Sequence, residues 1–186
     1  MERREAEKIM SENISQEEQK EYIEYMLHNE KIEKSLINWK QNQNSDTLAK
    51  MLEIIAAESE ECAGLILSVN SDTIPTGADN IVLFTGSERG DIHRLIDKAG
   101  KSYAMVFTSK ERFQECNDTS GFVMFIDDLF HLLVEKEELD GMVINIGQED
   151  IAFNKYMMKV VIWLIGQVKE KNFDHTNSDD DSSDLL

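Results

Sequence analysis

The chain has 186 residues, 37 acidic side chains against 19 basic ones, a formal net charge of −18, and 41% hydrophobic residues. That length suits one domain with tails, the apolar share fills a core of ordinary size, and one proline with nine glycines is too few for a low-complexity chain. The charge argues against non-specific nucleic-acid binding, which draws on cations that release phosphate counterions, and against docking on an anionic membrane.

At the start, Arg3, Arg4 and Lys8 stand among glutamates with neither an apolar stretch nor a small-residue cleavage pattern. No secretory signal is visible, and the mature chain is expected to begin near Met1. Cys62 and Cys116 alone make no disulfide framework, so the expected compartment is the cytoplasm, where both are free, buried thiols. Charge and composition divide the chain into an N-terminal helical segment (1–44), an α/β domain (45–173) and an acidic tail (174–186).

Residues 17–39 lack Gly and Pro and carry Ile23, Met26, Leu27, Ile32, Leu36 and Ile37 at helical spacing, which predicts one amphipathic helix. Amide and hydroxyl side chains at 41–45 break it. Asp46 then reads as the N-cap of a second helix with Leu48, Met51, Leu52 and Ile55 on one face. From Gly64 the period shortens: Leu65–Val69 and Ile81–Phe84 read as strands, with turns at 70–72 and 75–77 between them. Strands at 92–97 and 102–107 flank Lys98–Ala99–Gly100–Lys101 as a β-hairpin, with Gly100 free to take positive φ.

Thr108 and Glu111 have the spacing of a capping box, which predicts a short helix through Phe113. A strand at 122–126 leads to a helix capped by Asp127 or Asp128, carrying Leu129, Phe130, Leu132 and Leu133 and ended by Gly141 as a left-handed C-cap. Strands at 142–146 and 151–153 follow, with Asn145 and Gly147 suited to a left-handed turn between them. A final helix places Met157, Val160, Val161, Leu164 and Val168 on one face. Its apolar run, 157–166, is interrupted by Lys159 and falls short of the roughly 20 residues that span a bilayer, so it reads as a buried helix. Residues 174–186 hold five Asp and no base and cannot repay the entropy of ordering, so a disordered tail is expected. The fold class expected is α/β (α+β): a mixed β-sheet with a hairpin, flanked by helices and preceded by an N-terminal helical segment. No internal repeat is present.

Three segments together carry a family resemblance. They are Gly100–Lys101–Ser102–Tyr103–Ala104–Met105–Val106–Phe107–Thr108–Ser109–Lys110–Glu111–Arg112–Phe113, residues 122–134, and Leu139–Asp140–Gly141–Met142–Val143–Ile144–Asn145–Ile146–Gly147. In order and spacing they resemble the N-terminal domain of the SseB-like proteins, a bacterial family named for an enhanced serine sensitivity phenotype. The likeness covers roughly residues 45–165. In the family's usual pattern proline follows the asparagine, where Ile146 stands here, and a second, C-terminal SseB-like domain is not expected. The resemblance implies a compact α/β domain without an established catalytic activity, a regulatory or protein-interaction module of the bacterial cytoplasm.

The residues able to carry chemistry agree with that expectation. His28, His93, His131 and His175 lack the close spacing of a zinc site, and nothing local pairs Cys116 with His131 as nucleophile and base. Gly86–Ser87–Glu88–Arg89–Gly90 lacks the Lys-Ser/Thr of a P-loop and the third glycine of a dinucleotide fingerprint. Arg89–Gly90–Asp91 spells an adhesion tripeptide, without the export signal that would bring it to a receptor. No catalytic set, cofactor or metal is expected. The turns holding Phe107, Thr108 and Ser109 and holding Asn145 and Gly147 are the candidate interaction rim, at the ends of neighbouring strands. The partner expected is another cytoplasmic protein, with neither nucleic acid nor membrane involved and the oligomeric state open. The alternative is an acidic, immunity-type neutraliser of a basic partner protein.

Overall fold

The computed structural model describes residues 15–71, 80–86, 89–116, 120–147 and 150–176. Residues 1–14, the predicted turn at 75–77, the centre of the 86–90 loop and the predicted acidic tail from 177 onward lie outside the described residues. The α+β architecture expected from the sequence is present. Helices α1 (Gln16–Met26), α2 (Glu30–Asn42) and α3 (Ser45–Glu60) come first. Strands β1 (Gly64–Asn70), β2 (Ile81–Leu83), β3 (Asp91–Ile92), β4 (Arg94–Ile96) and β5 (Ser102–Phe107) follow, then α4 (Lys110–Gln114) and β6 (Ser120–Phe125). The chain closes with α5 (Ile126–Glu135), β7 (Gly141–Ile144), β8 (Ile151–Asn154) and α6 (Lys155–Thr176).

Among the described residues the strands form one mixed sheet of eight, ordered β2-β6-β1-β5-β7-β8, with β3 added to β1 and β4 to β5. β2 pairs β6 and β5 pairs β7 in parallel, while the remaining ladders are antiparallel. The predicted hairpin is β4–β5, and Gly100 sits in its turn at φ +81°. One feature of the sheet has no local sequence signal. β1 and β5 pair only at Ile66↔Phe107 and Leu67↔Val106, and beyond that point they part. The 91–96 segment wedges into the fork: His93 donates its N–H to the Ser68 carbonyl on β1 and accepts from Met105 N–H on β5.

Alternation along each strand sends side chains to two cores. Leu65, Leu67, Val106, Met124, Met142, Ile144 and Phe153 face α2, α3, α5 and α6. Ile66, Met105, Phe107, Val123 and Phe125 face α1 and Phe113 of α4. This two-sided arrangement explains the first correction. The helix expected over residues 17–39 is two helices, because Tyr22, Ile23, Met26 and Leu27 belong to the second core while Ile32 and Leu36 belong to the first. The chain must cross the end of the sheet between them, and it does so at residues 27–29. Ile37, counted in the predicted stripe, is 39% exposed.

Caps account for most remaining differences. Helix α3, for which Asp46 was the expected cap, is capped by Asn44, whose side chain accepts from Thr47 N–H while the Thr47 hydroxyl accepts from Asn44 N–H; Asp46 lies in the first turn instead. Ser109, not Thr108, caps α4, accepting from Arg112 N–H. Asp127 and Asp128 stand in the first turn of α5, where carboxylates suit the helix dipole, but Phe125 occupies the cap position. Asp127 is instead the anchor of an ion pair with Lys169 at 2.8 Å that ties α6 to α5.

Gly141 is no C-cap: α5 ends at Glu135, and the glycine opens β7 opposite Asn154. A Cβ there would collide with the Phe153 carbonyl oxygen on β8. In α6 the buried face is Met158, Val161 and Ile165, with the predicted Met157, Val160 and Leu164 only flanking it. The 157–165 run is apolar on both sides, so periodicity alone had two solutions. Among the described residues no helix is long and apolar enough to cross a membrane, and α6 continues to Thr176, past the predicted domain limit.

Candidate functional site

Parallel pairing of β5 with β7 brings the two predicted turns together at one end of the sheet. Asn145 takes φ +53° and Gly147 φ +91°, the left-handed turn expected from those residue types. The turn is knitted to β5: Asn145 N–H donates to the Val106 carbonyl, Thr108 N–H donates to Asn145 Oδ1 at 3.0 Å, and Asn145 Nδ2 donates to Thr108 Oγ1 at 2.9 Å. The Thr108 hydroxyl sends its proton to Glu33 Oε1 of α2 at 2.6 Å. Asn29, between α1 and α2, donates both Nδ2 hydrogens to strand-end carbonyls, Gly64 O and Thr108 O, each at 2.8 Å.

Thr108 is therefore tied to α2 through Glu33, while Phe107 faces the other core, toward α1 and α4. Phe107 and Thr108 are fully buried and Asn145 nearly so, with Phe107 packed edge-on against Phe113. Ser109 is half-buried, and Gly147 is exposed with its N–H bonded to Asp150 Oδ1 at 2.6 Å. Asn29 and Glu33 were absent from the sequence-derived set. Asn29 precedes α2 and Glu33 stands within it, 79 and 75 residues from Thr108, and nothing in their local spacing marks them. In this arrangement the polar groups bond to each other, save Asn29 Oδ1, which is buried without a hydrogen-bond partner among the described residues, and the cluster's chemistry is structural: it clamps the N-terminal helices to the sheet end.

Cys116 lies beside this turn, half-buried, with its thiol 3.8 Å from the Ile146 carbonyl. Burial pushes the Cys116 thiol above its ordinary range, and the Glu115 and Asp150 carboxylates push in the same direction. A raised pKa means less thiolate at a given pH, so iodoacetamide should modify native Cys116 more slowly than the unfolded chain across pH 7 to 9. Added salt should narrow the gap only partly, because screening reaches the carboxylates and not the burial. Equal rates in native and unfolded protein would contradict this. Cys62, fully buried, should stay unmodified until the chain unfolds.

Two surface features stand apart from the rim. Tyr156 and Trp163 on α6 are 76% and 61% exposed, and their seven-residue spacing puts them on one face, two turns apart. Tyr156 stands two residues beyond β8, the last strand in the sheet order, whose Ala152 and Asn154 are also exposed. The second feature is a groove of about 450 Å³ between α2 and α3, with Met51 and Ile54 in its floor and Lys31, Lys34 and Lys50 on its rims. Lys31 bonds to Glu58 at 2.7 Å, which raises its pKa and holds it charged. Among the described residues, no group of His, Cys, Asp or Glu converges to hold a metal ion.

Comparison of the chain with protein-family models, with curated proteins and with solved structures finds no match in any of the three.

Proposed function

We propose that this chain is a non-enzymatic protein-interaction module of the SseB-like type that docks another cytoplasmic protein. The observation that carries the reading is the exposed pair Tyr156 and Trp163 on the outer face of α6. Large aromatics are costly to leave in water and are enriched where partners bind, since each buries about 150–250 Å² on docking and loses little rotamer entropy. The segments on which the SseB-like resemblance rests coincide with β5–α4, β6–α5 and the β7 turn, so the likeness is one of consecutive structural units.

The test is affinity capture from native cytosol with the wild-type chain and with a Tyr156→Ser/Trp163→Ser variant, eluted at low and then high salt. A partner that survives about 1 M salt, where the screening length falls to about 3 Å, and is lost with the variant is the expected result. A partner retained equally by the variant would overturn the α6 assignment. The chain's net charge of −18 favours a second reading, an acidic neutraliser steered onto a basic protein. That reading requires a single basic partner released by high salt and indifferent to the two aromatics.

A further inference from the structure

We propose that a second copy of this chain covers the outer face of α6, the two α6 helices packing antiparallel about a two-fold axis at the level of Val161. The inference rests on the reading of this face as a docking surface and adds what covers it while the other protein is absent. Between Lys155 and Val168 the exposed residues of α6 are Tyr156, Lys159, Trp163 and Gly166. At 3.6 residues per turn they share one stripe about a quarter-turn wide.

The stripe is its own complement. Antiparallel pairing about Val161 sets residues equally far before and after that level opposite each other. Tyr156 and Gly166 each stand five residues from it, and Lys159 and Trp163 each two. Tyr156 of one copy therefore meets Gly166 of the other, a ring laid where a side chain is missing. Lys159 meets Trp163, an ammonium over an indole face, the pairing of a cation–π contact. Each contact occurs twice, as a two-fold interface requires.

Gly166 is an independent sign of an occupant. Glycine inside a helix weakens it, yet a Cβ at this position would have nothing within 4 Å, so packing among the described residues gives no reason for it. A ring pressed against the helix backbone does.

Charge selects this face for self-contact. The chain has 37 acidic side chains, but residues 151–169 hold none and carry three lysines. Lys155 donates to the Lys136 carbonyl at 2.7 Å and Lys169 pairs with Asp127 at 2.8 Å. Lys159 is left as the exposed cation of the stripe, without an ion pair among the described residues. Two bodies of formal charge −18 repel each other at long range, and α6 meets its counterpart without a carboxylate in the stripe. Salt therefore removes repulsion between the bodies and strengthens the dimer, the reverse of a contact held by ion pairs. The four rings of two copies bury about 150–250 Å² each, roughly 600–1,000 Å² together. That is below the standard interface of about 1,600 Å², so the dimer is weak enough for a larger partner to displace it.

The experiment is analytical ultracentrifugation of the full chain from about 1 μM to about 1 mM, at about 0.05 M and about 0.5 M salt. A monomer–dimer equilibrium is expected, at least about threefold tighter at the higher salt. Gly166→Gln fills the notch with a better helix former in open space, so it should weaken the dimer at least about tenfold while leaving the melting temperature equal or higher. Tyr156→Gly, which removes the ring, should also weaken it. The exchange Tyr156→Gly/Gly166→Tyr puts ring opposite notch again and should restore the dimer to within about threefold of the wild type, a rescue that neither a damaged fold nor a different interface would give.

The proposal is overturned if the chain stays monomeric throughout, if salt dissociates the dimer, or if the exchange variant fails to restore it. A dimer indifferent to Gly166→Gln and Tyr156→Gly also overturns it and places the contact elsewhere, for example at the edge of β8. Capture from cytosol run in parallel keeps the two readings apart. A monomer that still captures a partner through Tyr156 and Trp163 overturns the dimer alone, whereas a dimer with these variant effects and no captured partner supports the dimer and overturns the second protein.

Discussion

Gly141→Ala is expected to destabilise the fold by about 3 kcal/mol, the upper end of overpacking costs, and to lower the melting temperature by about 6–12 °C. The added Cβ would meet the Phe153 carbonyl and the Cα of Asn154 on the paired strand. These are backbone atoms held by the β7–β8 ladder, with Gly141↔Asn154 and Met142↔Phe153 in register, so no side chain can swing aside. The strands must part, and β8 runs directly into α6 at Lys155. Strain at Gly141 therefore reaches the start of the longest helix. Gly147→Ala is the control: its φ is +91° with open space around the Cβ position, so it carries a conformational cost near 1 kcal/mol and no collision. Thermal unfolding of both variants checks the argument. Equal losses would mean that close approach at Gly141 is not the cause, and hydrogen exchange in the Gly141 variant should show amides at 151–154 opening first.

The same residue shows what the sequence carries and where it stops. A glycine after a helix reads locally as a C-cap, yet the reason for this one lies on β8, and only the ladder reveals it. Elements whose cause is local were legible. The β4–β5 hairpin follows from alternation around Gly100, and the left-handed Asn145 and Gly147 follow from residue types that tolerate positive φ. Failures cluster where distant chain decides. Thr108 and Glu111 have capping-box spacing, but the Thr108 hydroxyl is claimed by Glu33, and Ser109 takes over the cap. Residues 17–39 have helical composition throughout, yet the chain must pass from one sheet face to the other at Asn29. The His93 wedge between β1 and β5 depends on two strands diverging, a property that belongs to neither alone. The predicted rim was legible as an adjacency, because parallel strands put their ends together, and illegible as a buried cluster, because Thr108's partner Glu33 comes from α2.

Asn29→Ala is expected to cost about 3 kcal/mol, because it strands two buried carbonyl oxygens, Gly64 O and Thr108 O, at 1–3 kcal/mol each in a range where partial relaxation is usual. Thr108→Val removes one hydroxyl that both donates to Glu33 and accepts from Asn145, for about 2 kcal/mol. Asn145→Ala loses the acceptor of Thr108 N–H and places a Cβ-bearing residue without a helpful side chain at φ +53°. Asn145→Gly relieves that backbone cost and keeps the hydrogen-bond loss, so the difference between the two, near 1 kcal/mol, isolates the backbone part. Thr108→Val combined with Asn145→Ala should cost less than the separate losses together by on the order of 1 kcal/mol, since each removes bonds the other needs. Strict additivity in chemical denaturation would show that the groups act independently. Because Thr108 is bonded to Glu33 of α2 and Asn145 to Thr108, these substitutions act on how firmly the N-terminal helices hold the sheet end. Well below the melting temperature they should leave Tyr156- and Trp163-dependent capture intact. Loss of capture in a Thr108→Val protein that remains folded would instead make the rim part of the interaction surface, joined to α6 through the sheet between them.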